Sequence, residues 1–181
     1  MPSEEVFSPT VAVLSIAVVL GVLATMLAAE FPFAETARLA IYGHVQKAMF
    51  LIAAVAMGSS LYYSEVAGFT PCDFCWYQRI AMYPLAVLLL VAVVTRFRID
   101  PRFIVALAGV GLAISIYHYQ LQLFPDQAQV CTASAVSCTV RFVEEFGFVS
   151  IPLMAGAGFL AVLLLQVAEW RVNYLFAHDR P

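Results

Sequence analysis

The sequence predicts an all-α, polytopic membrane protein: a four-helix transmembrane bundle plus an extra N-terminal transmembrane helix. Three observations carry that expectation. Hydrophobic residues make up 63% of the 181 positions and charged residues only 12%, and the mean hydropathy is +0.90, far from the mix of a soluble domain. Five apolar stretches each approach the roughly 20 residues that a helix needs to cross hydrocarbon. Runs such as 85–94 are unbroken rather than alternating, which suits helices, whose backbone hydrogen bonds are satisfied internally, and not barrel strands.

Taken in order, the expected spans are 11–29, 47–69, 76–94, 103–124 and 146–168. The first is not read as a secretory signal, because Glu4 and Glu5 stand where a signal carries positive charge and the apolar run is long for a signal core. Between the first two spans, residues 30–46 mix Phe31, Phe33, Leu39, Ile41 and Tyr42 with Glu35, Arg38 and His44. That mixture suits either a short interfacial helix or an ordinary loop. Pro84 lies inside the third span, where it removes a backbone donor, and Pro152 lies where it helps to start the fifth. Gly109, Gly111, Gly156 and Gly158 read as close-packing positions between helices. The expected division is an N-terminal extension over 1–46, a core over 47–170 and a tail over 171–181.

Positive charge sets the orientation, since short cytoplasmic loops carry the excess of Lys and Arg. With five spans, Arg38, Lys47, Arg96, Arg98, Arg102, Arg171 and Arg180 fall on one side and only Arg79 and Arg141 on the other. The first side is therefore expected to be the cytoplasm. The N-terminus and both cysteine-bearing loops then face outward. The net charge of −3 and the lack of a basic run give no reason to expect nucleic acid as a partner.

The four cysteines form two pairs in those loops, Cys72 with Cys75 and Cys131 with Cys138. An extracytoplasmic setting permits disulfides, so two structural bridges are one reading. The first pair precedes the third apolar run and should occupy the first turn of its helix, where unpaired N–H groups stabilise a thiolate. Arg79, four residues after Cys75, falls on the same helical face, where it could hold a thiolate or a ligand oxygen; the alternative is an arginine snorkelling to headgroups. Six residues separate Cys131 from Cys138, wider than a usual metal knuckle and composed of small residues, so no metal is expected. A mobile disulfide that hands oxidising equivalents to a second pair through mixed disulfides fits better. Such a relay needs an acceptor soluble in the bilayer, which points to a quinone. No nucleotide fingerprint is present, and Trp76 after Cys75 excludes haem attachment.

Residues 60–66 (SLYYSEV), 71–85 (PCDFCWYQRIAMYPL), Tyr117-His118-Tyr119 and Cys138-Thr139-Val140 leading into Phe146–Pro152 resemble the DsbB/BdbC family of bacterial disulfide bond formation proteins, which are thiol:quinone oxidoreductases. The resemblance runs from about Lys47 to Ala168 and is closer to the BdbC branch, with which the short Cys131–Cys138 spacing agrees. It implies a bacterial inner-membrane protein that reoxidises an extracytoplasmic thioredoxin-fold thiol oxidase, DsbA- or BdbD-like, and passes the electrons to ubiquinone or menaquinone in the lipid bilayer. By position, Cys131 would accept the partner's thiolate, Cys138 would attack Cys72 and release Cys75, and Cys75 would donate to the quinone with Arg79 polarising an oxygen.

His118, near the outer end of the fourth span, would bind or protonate the quinone, unless it is only hydrogen-bonded at the interface. Glu65 is a weaker candidate for the same role, and Tyr63, Trp76, Tyr77 and Tyr119 read as an aromatic belt. The first span departs from the family's four-helix pattern. Two rivals stay open. A vitamin K epoxide reductase type relay also joins two cysteine pairs to a quinone, with the pairs in the opposite chain order. A non-catalytic scaffold would keep both bridges permanently oxidised.

Overall fold

In the computed structural model the backbone is described for residues 2–28, 35–127 and 136–178, and side chains for 6–27, 43–127 and 136–174. Among the described residues five α-helices follow in order: α1 Pro2–Ala28, α2 Glu35–Leu61, α3 Asp73–Thr95, α4 Pro101–Leu123 and α5 Ile151–His178. Each contains a stretch long and apolar enough to span a membrane: Val6–Leu27, Gly43–Val66, Asp73–Thr95, Pro101–Leu123 and Ile151–Tyr174. The protein is thus an all-α polytopic membrane protein, with the expected number of spans.

The boundaries differ from expectation in instructive places. Residues 35–46, expected as an interfacial piece or loop, continue directly into the second span as α2, while 29–34 lie outside the described residues. Residues 171–178, expected as tail, extend α5. The fifth span was expected from 146 but starts at Ile151. Phe146 and Gly147 have φ of 54° and 77°, a left-handed turn incompatible with a continuing helix. The amide of Val149 donates to Glu145 O at 2.9 Å and that of Glu145 to Val149 O at 2.8 Å, closing the turn. Proline at the second helical position, Pro152, is tolerated because its missing N–H would be unpaired there in any case. At the start of α4, Asp100 caps the helix by accepting from the Arg102 amide at 2.9 Å, with Pro101 just inside.

Within lipid, apolar faces gain little from meeting each other, so close contact decides the packing. The main core joins Met49 and Ala53 of α2, Leu85 and Leu89 of α3, Ile104 and Ala108 of α4, and Phe159 and Val162 of α5. Gly111 lets α4 approach α5: a Cβ there would lie 2.2 Å from the Phe159 ring. Gly156 is nearly as tight, 3.3 Å from Ser115 Cβ, and Gly158 is in ordinary contact with Met82. Gly109 is not a packing position, since its Cβ would meet open space.

At the end of the bundle opposite the cysteines, Arg98 pairs with Glu169, whose other oxygen accepts from Gln166 at 3.0 Å. At the cysteine end, α2 passes into a single π-helical turn, Tyr62–Val66, a local widening that is frequent beside functional sites. Helix α1 packs on α5 and is tied to this turn by Ser8, which accepts from Tyr63 Oη at 3.4 Å, and by Phe7 against Tyr62.

Candidate active site

The chain enters α3 in extended form, with Cys72 as its N-cap (φ −77°, ψ 174°) and Cys75 in the first turn. The Cys72 carbonyl accepts from the Trp76 amide at 3.1 Å. Amides of this first turn, with the helix dipole behind them, favour negative charge at the cap. The two Sγ atoms are 3.1 Å apart, longer than the roughly 2.05 Å of a bond, and both cysteines are free thiols.

Their surroundings differ. Cys72 is buried against α4, where His118 Nε2 lies 3.5 Å from its Sγ. The same nitrogen lies 3.2 Å from the Cys138 carbonyl oxygen. A carbonyl only accepts, so this contact places the ring hydrogen on Nε2, aimed between that oxygen and the Cys72 sulfur. His118 Nδ1 is buried without a partner, and Phe74 packs on the ring at 5.6 Å.

The loop after residue 135 is fixed to the end of α4 by polar contacts. Gln122 accepts from Ser150 Oγ at 2.6 Å and donates to Val140 O at 3.3 Å, while Arg141 donates to Gln122 O at 2.8 Å. Tyr119 Oη donates to Phe148 O at 2.9 Å. Thus anchored, Cys138 is fully buried and shares one cluster with Cys72 and Leu121. Cys138 is disulfide-bonded; Cys131, expected to receive the partner's thiolate, lies outside the described residues.

The hydrogen bond from the Cys75 thiol, followed by the His118 contact, holds the Cys72 thiol well below its ordinary range despite the opposing effect of burial. For a thiol lowered in this way, the thiolate form persists as pH falls until the depressed pKa is reached. Alkylation of Cys72 in the reduced protein should therefore stay fast at pH 6 to 7, below the ordinary thiol pKa of about 8.5. His118→Ala should move the midpoint of the rate–pH curve upward, as read by quenched alkylation and mass spectrometry. An unshifted midpoint would remove His118 from any role at the sulfur.

Cys75 faces elsewhere. It lines an apolar cavity of about 260 Å³ together with Arg79, Gln78, Ser60, Tyr63 and Met82, whereas Cys72 and His118 do not line it. The Arg79 guanidinium is buried, donating through Nε to Ser60 Oγ and through Nη2 to Ser60 O, both at 3.0 Å, with its Cζ 5.1 Å from the Trp76 ring centroid. Among the described residues no carboxylate pairs with Arg79; the ion pairs there are Arg98–Glu169 and Arg141–Glu144. A buried cation without a counter-charge at membrane depth is costly and marks a functional position.

The structure thus brings Cys75 and Arg79 to one cavity and Cys72, His118 and Cys138 to one buried cluster. His118, expected beside the quinone, contacts Cys72 instead. Trp76 and Tyr77 are half exposed, as a belt requires, but Tyr63 is buried and lines the cavity. Glu65 does not line it and hydrogen-bonds Ser64 at 2.9 Å. Three ligand atoms, from Cys72, Cys75 and His118, lie within 4.8 Å of one another, close enough for a soft metal as well as for thiol exchange. Sequence reasoning gave no role to Ser60 or to Gln78, which donates to Ser115 Oγ at 3.0 Å. Polar side chains inside otherwise apolar spans were the available signal.

Comparison with known proteins accords with this arrangement. The family model described as disulfide bond formation protein DsbB matches residues 44–169. A probable disulfide formation protein of Oceanobacillus iheyensis is 42% identical over 119 residues, 62% of this chain and 79% of the relative. Probable disulfide formation protein C 2 of Bacillus cereus is 40% identical over 66% of this chain and 86% of its own length. Disulfide bond formation protein C of Bacillus subtilis is 37% identical over 66% and 87%. No solved structure gives a significant match. With its family match covering more than half of its length, the chain belongs to the DsbB family of disulfide bond formation proteins.

Proposed function

We propose that this member of an oxidoreductase family is a membrane thiol:quinone oxidoreductase: it reoxidises an extracytoplasmic thioredoxin-fold dithiol oxidase and delivers the electrons to a membrane quinone. The observation that carries the reading is the two-sided exposure of the helix pair. Cys72 meets Cys138 and its loop, and Cys75 meets the apolar cavity with Arg79. The cavity's donor set fits a quinone ring, since apolar walls surround a guanidinium whose Nη1 is uncommitted among the described residues. A bound quinone would take up two electrons and two protons.

The chain's own residues perform the thiol steps. A partner thiolate attacks the loop disulfide and forms a mixed disulfide, and the partner's second thiol resolves it, leaving the partner oxidised and the loop a dithiol. The Cys138 thiolate then attacks a Cys72–Cys75 disulfide at Cys72. The Cys72–Cys75 bond breaks, and Cys75 leaves as the thiolate beside Arg79. Closure of the loop disulfide releases Cys72, and once Cys75 has taken up the proton that the attacking loop thiol gives up, its S–H and His118 hold Cys72 as the thiolate.

The chain order of the pairs, helix pair first, disfavours the vitamin K epoxide reductase type arrangement, and the separate surroundings of Cys72, which meets Cys138, and Cys75, which lines the cavity, disfavour a non-catalytic scaffold. Purified protein given a reduced thioredoxin-fold dithiol oxidase should consume one quinone for each partner disulfide formed, with ubiquinone and menaquinone tested separately. Protein that leaves both quinones oxidised sinks the reading. Among the described residues Lys47, Arg96, Arg98, Arg102 and Arg171 lie away from the cysteine end, against Arg79 and Arg141 near it, which supports cysteine loops outside the bacterial inner membrane. An N-terminal epitope tag should accordingly be reached by antibody in intact spheroplasts, and a tag reached only after permeabilisation reverses the orientation.

A further inference from the structure

Helix α1 lies outside the segment that the family model matches, yet it forms part of the cavity that holds Cys75. Val11, Leu14, Ser15 and Val18 line it, and their spacing of three, four and seven residues places them on one helical face. Opposite them stand Leu51 and Val55 of α2. The helix is held beside the cavity at both ends. Toward the cysteine end, Ser8 and Ala12 are buried against the cluster that contains Tyr63 and Met154; toward the other end, Val22 packs on the main core. Between these anchors Leu14 is 44% exposed and Leu51 63% exposed although both line the cavity. The cavity therefore communicates with the lipid-facing surface between α1 and α2.

Its chemistry is graded along that direction. Arg79, Ser60 and Gln78 gather near Cys75, while the α1 and α2 residues farther along are apolar apart from Ser15. The volume of about 260 Å³ is below the roughly 300–1,000 Å³ of sites that enclose a drug-sized ligand. It accommodates a ring but not a long hydrocarbon chain. A ligand with a polar ring at Cys75 and an apolar chain must then lead that chain out past Leu14 and Leu51.

We propose that α1 is a specificity wall for the acceptor, packing the isoprenoid chain of a long-chain quinone in the slot between α1 and α2 while the ring lies at Cys75 and Arg79. The proposal rests on the quinone reading above and adds the residues that select chain length. Burial of chain against Leu14, Ser15 and Val18 lowers KM for long-chain quinones and leaves a single-isoprene quinone with the same ring almost unaffected.

The test uses full-length protein in lipid nanodiscs, with turnover measured against a long-chain and a single-isoprene quinone bearing the same ring. Leu14→Trp, which fills the slot from a partly exposed position, should raise the ratio of long-chain to single-isoprene KM about tenfold, the equivalent of one weakened apolar contact region. Ser15→Leu should raise it in the same direction and carries the test if the tryptophan variant does not fold. Leu20→Trp, on an exposed part of α1 away from the cavity, should leave the ratio as in wild type. If Leu14→Trp and Ser15→Leu leave the ratio unchanged in a wild type that reduces both quinones, the α1 proposal falls alone. A wild type that reduces neither quinone removes the acceptor reading and this proposal with it.

Discussion

Replacing Cys75 by serine should abolish quinone-dependent reoxidation, by at least about a thousandfold, while trapping the enzyme at a definable point. A hydroxyl cannot close a disulfide, so Cys72 loses its partner. The Cys72 thiolate remains, buried beside Cys138 and favoured by the helix N-terminus and His118. In Cys75→Ser it should attack Cys138 in the loop disulfide: the Cys72–Cys138 bond forms, the loop S–S bond breaks, and the other loop sulfur leaves as a thiolate. No net electrons are gained or lost, so this disulfide should accumulate without any oxidant. Non-reducing peptide mapping would find Cys72 joined to Cys138. Cys72→Ser should also lose turnover but cannot form that link. Retained turnover in Cys75→Ser, or absence of the Cys72–Cys138 peptide, would show that the two pairs do not communicate through Cys72.

Much of this arrangement was legible in the sequence because its causes are local. Helical spans follow from the length of apolar runs, and the thiolate-favouring position of Cys72 and Cys75 follows from two cysteines at the start of one. Placement of Arg79 four residues after Cys75 needs only helical periodicity. What escaped depends on tertiary contact or on turn geometry. Phe146 and Phe148 are apolar and over half exposed or close to it, so hydropathy alone merged them with α5, although Gly147 breaks the helix there. His118 sits where α4 passes from an apolar run into Tyr117, Tyr119, Gln120 and Gln122, and periodicity could not say whether it faced a quinone or a sulfur. Helix α1 was visible as a span, but a helix apolar all round carries no stripe to reveal which face packs and which lines a cavity. Only its contacts with α5 and Tyr63 do so.

Arg79→Met should separate an acceptor-binding role from a structural one, because the two predict opposite changes in stability. Arg79 is 9% exposed, lacks a carboxylate partner among the described residues and is held by Ser60 alone apart from the Trp76 ring. A hydrogen bond from such a charged group to a ring oxygen contributes about 1.5–3 kcal/mol. Its loss should raise the quinone KM about 10- to 150-fold. Removing an uncompensated buried cation and substituting an apolar side chain of similar length should leave the melting temperature in detergent unchanged or higher. The Ser60 carbonyl at the end of α2 loses one donor, which offsets part of that gain. Arg79→Lys keeps the charge but not the fork that holds Ser60 while presenting Nη1 to the cavity, so its KM should fall between wild type and Arg79→Met. Exchange between the two cysteine pairs, followed without quinone as the second equivalent of partner disulfide formed per fully oxidised enzyme, should be little altered in either variant, since Cys72 and Cys138 meet on the side of the pair away from the cavity. A Met variant with unchanged KM and a lowered melting temperature would assign Arg79 to holding α2 against α3 and leave Cys75 to meet the acceptor without it.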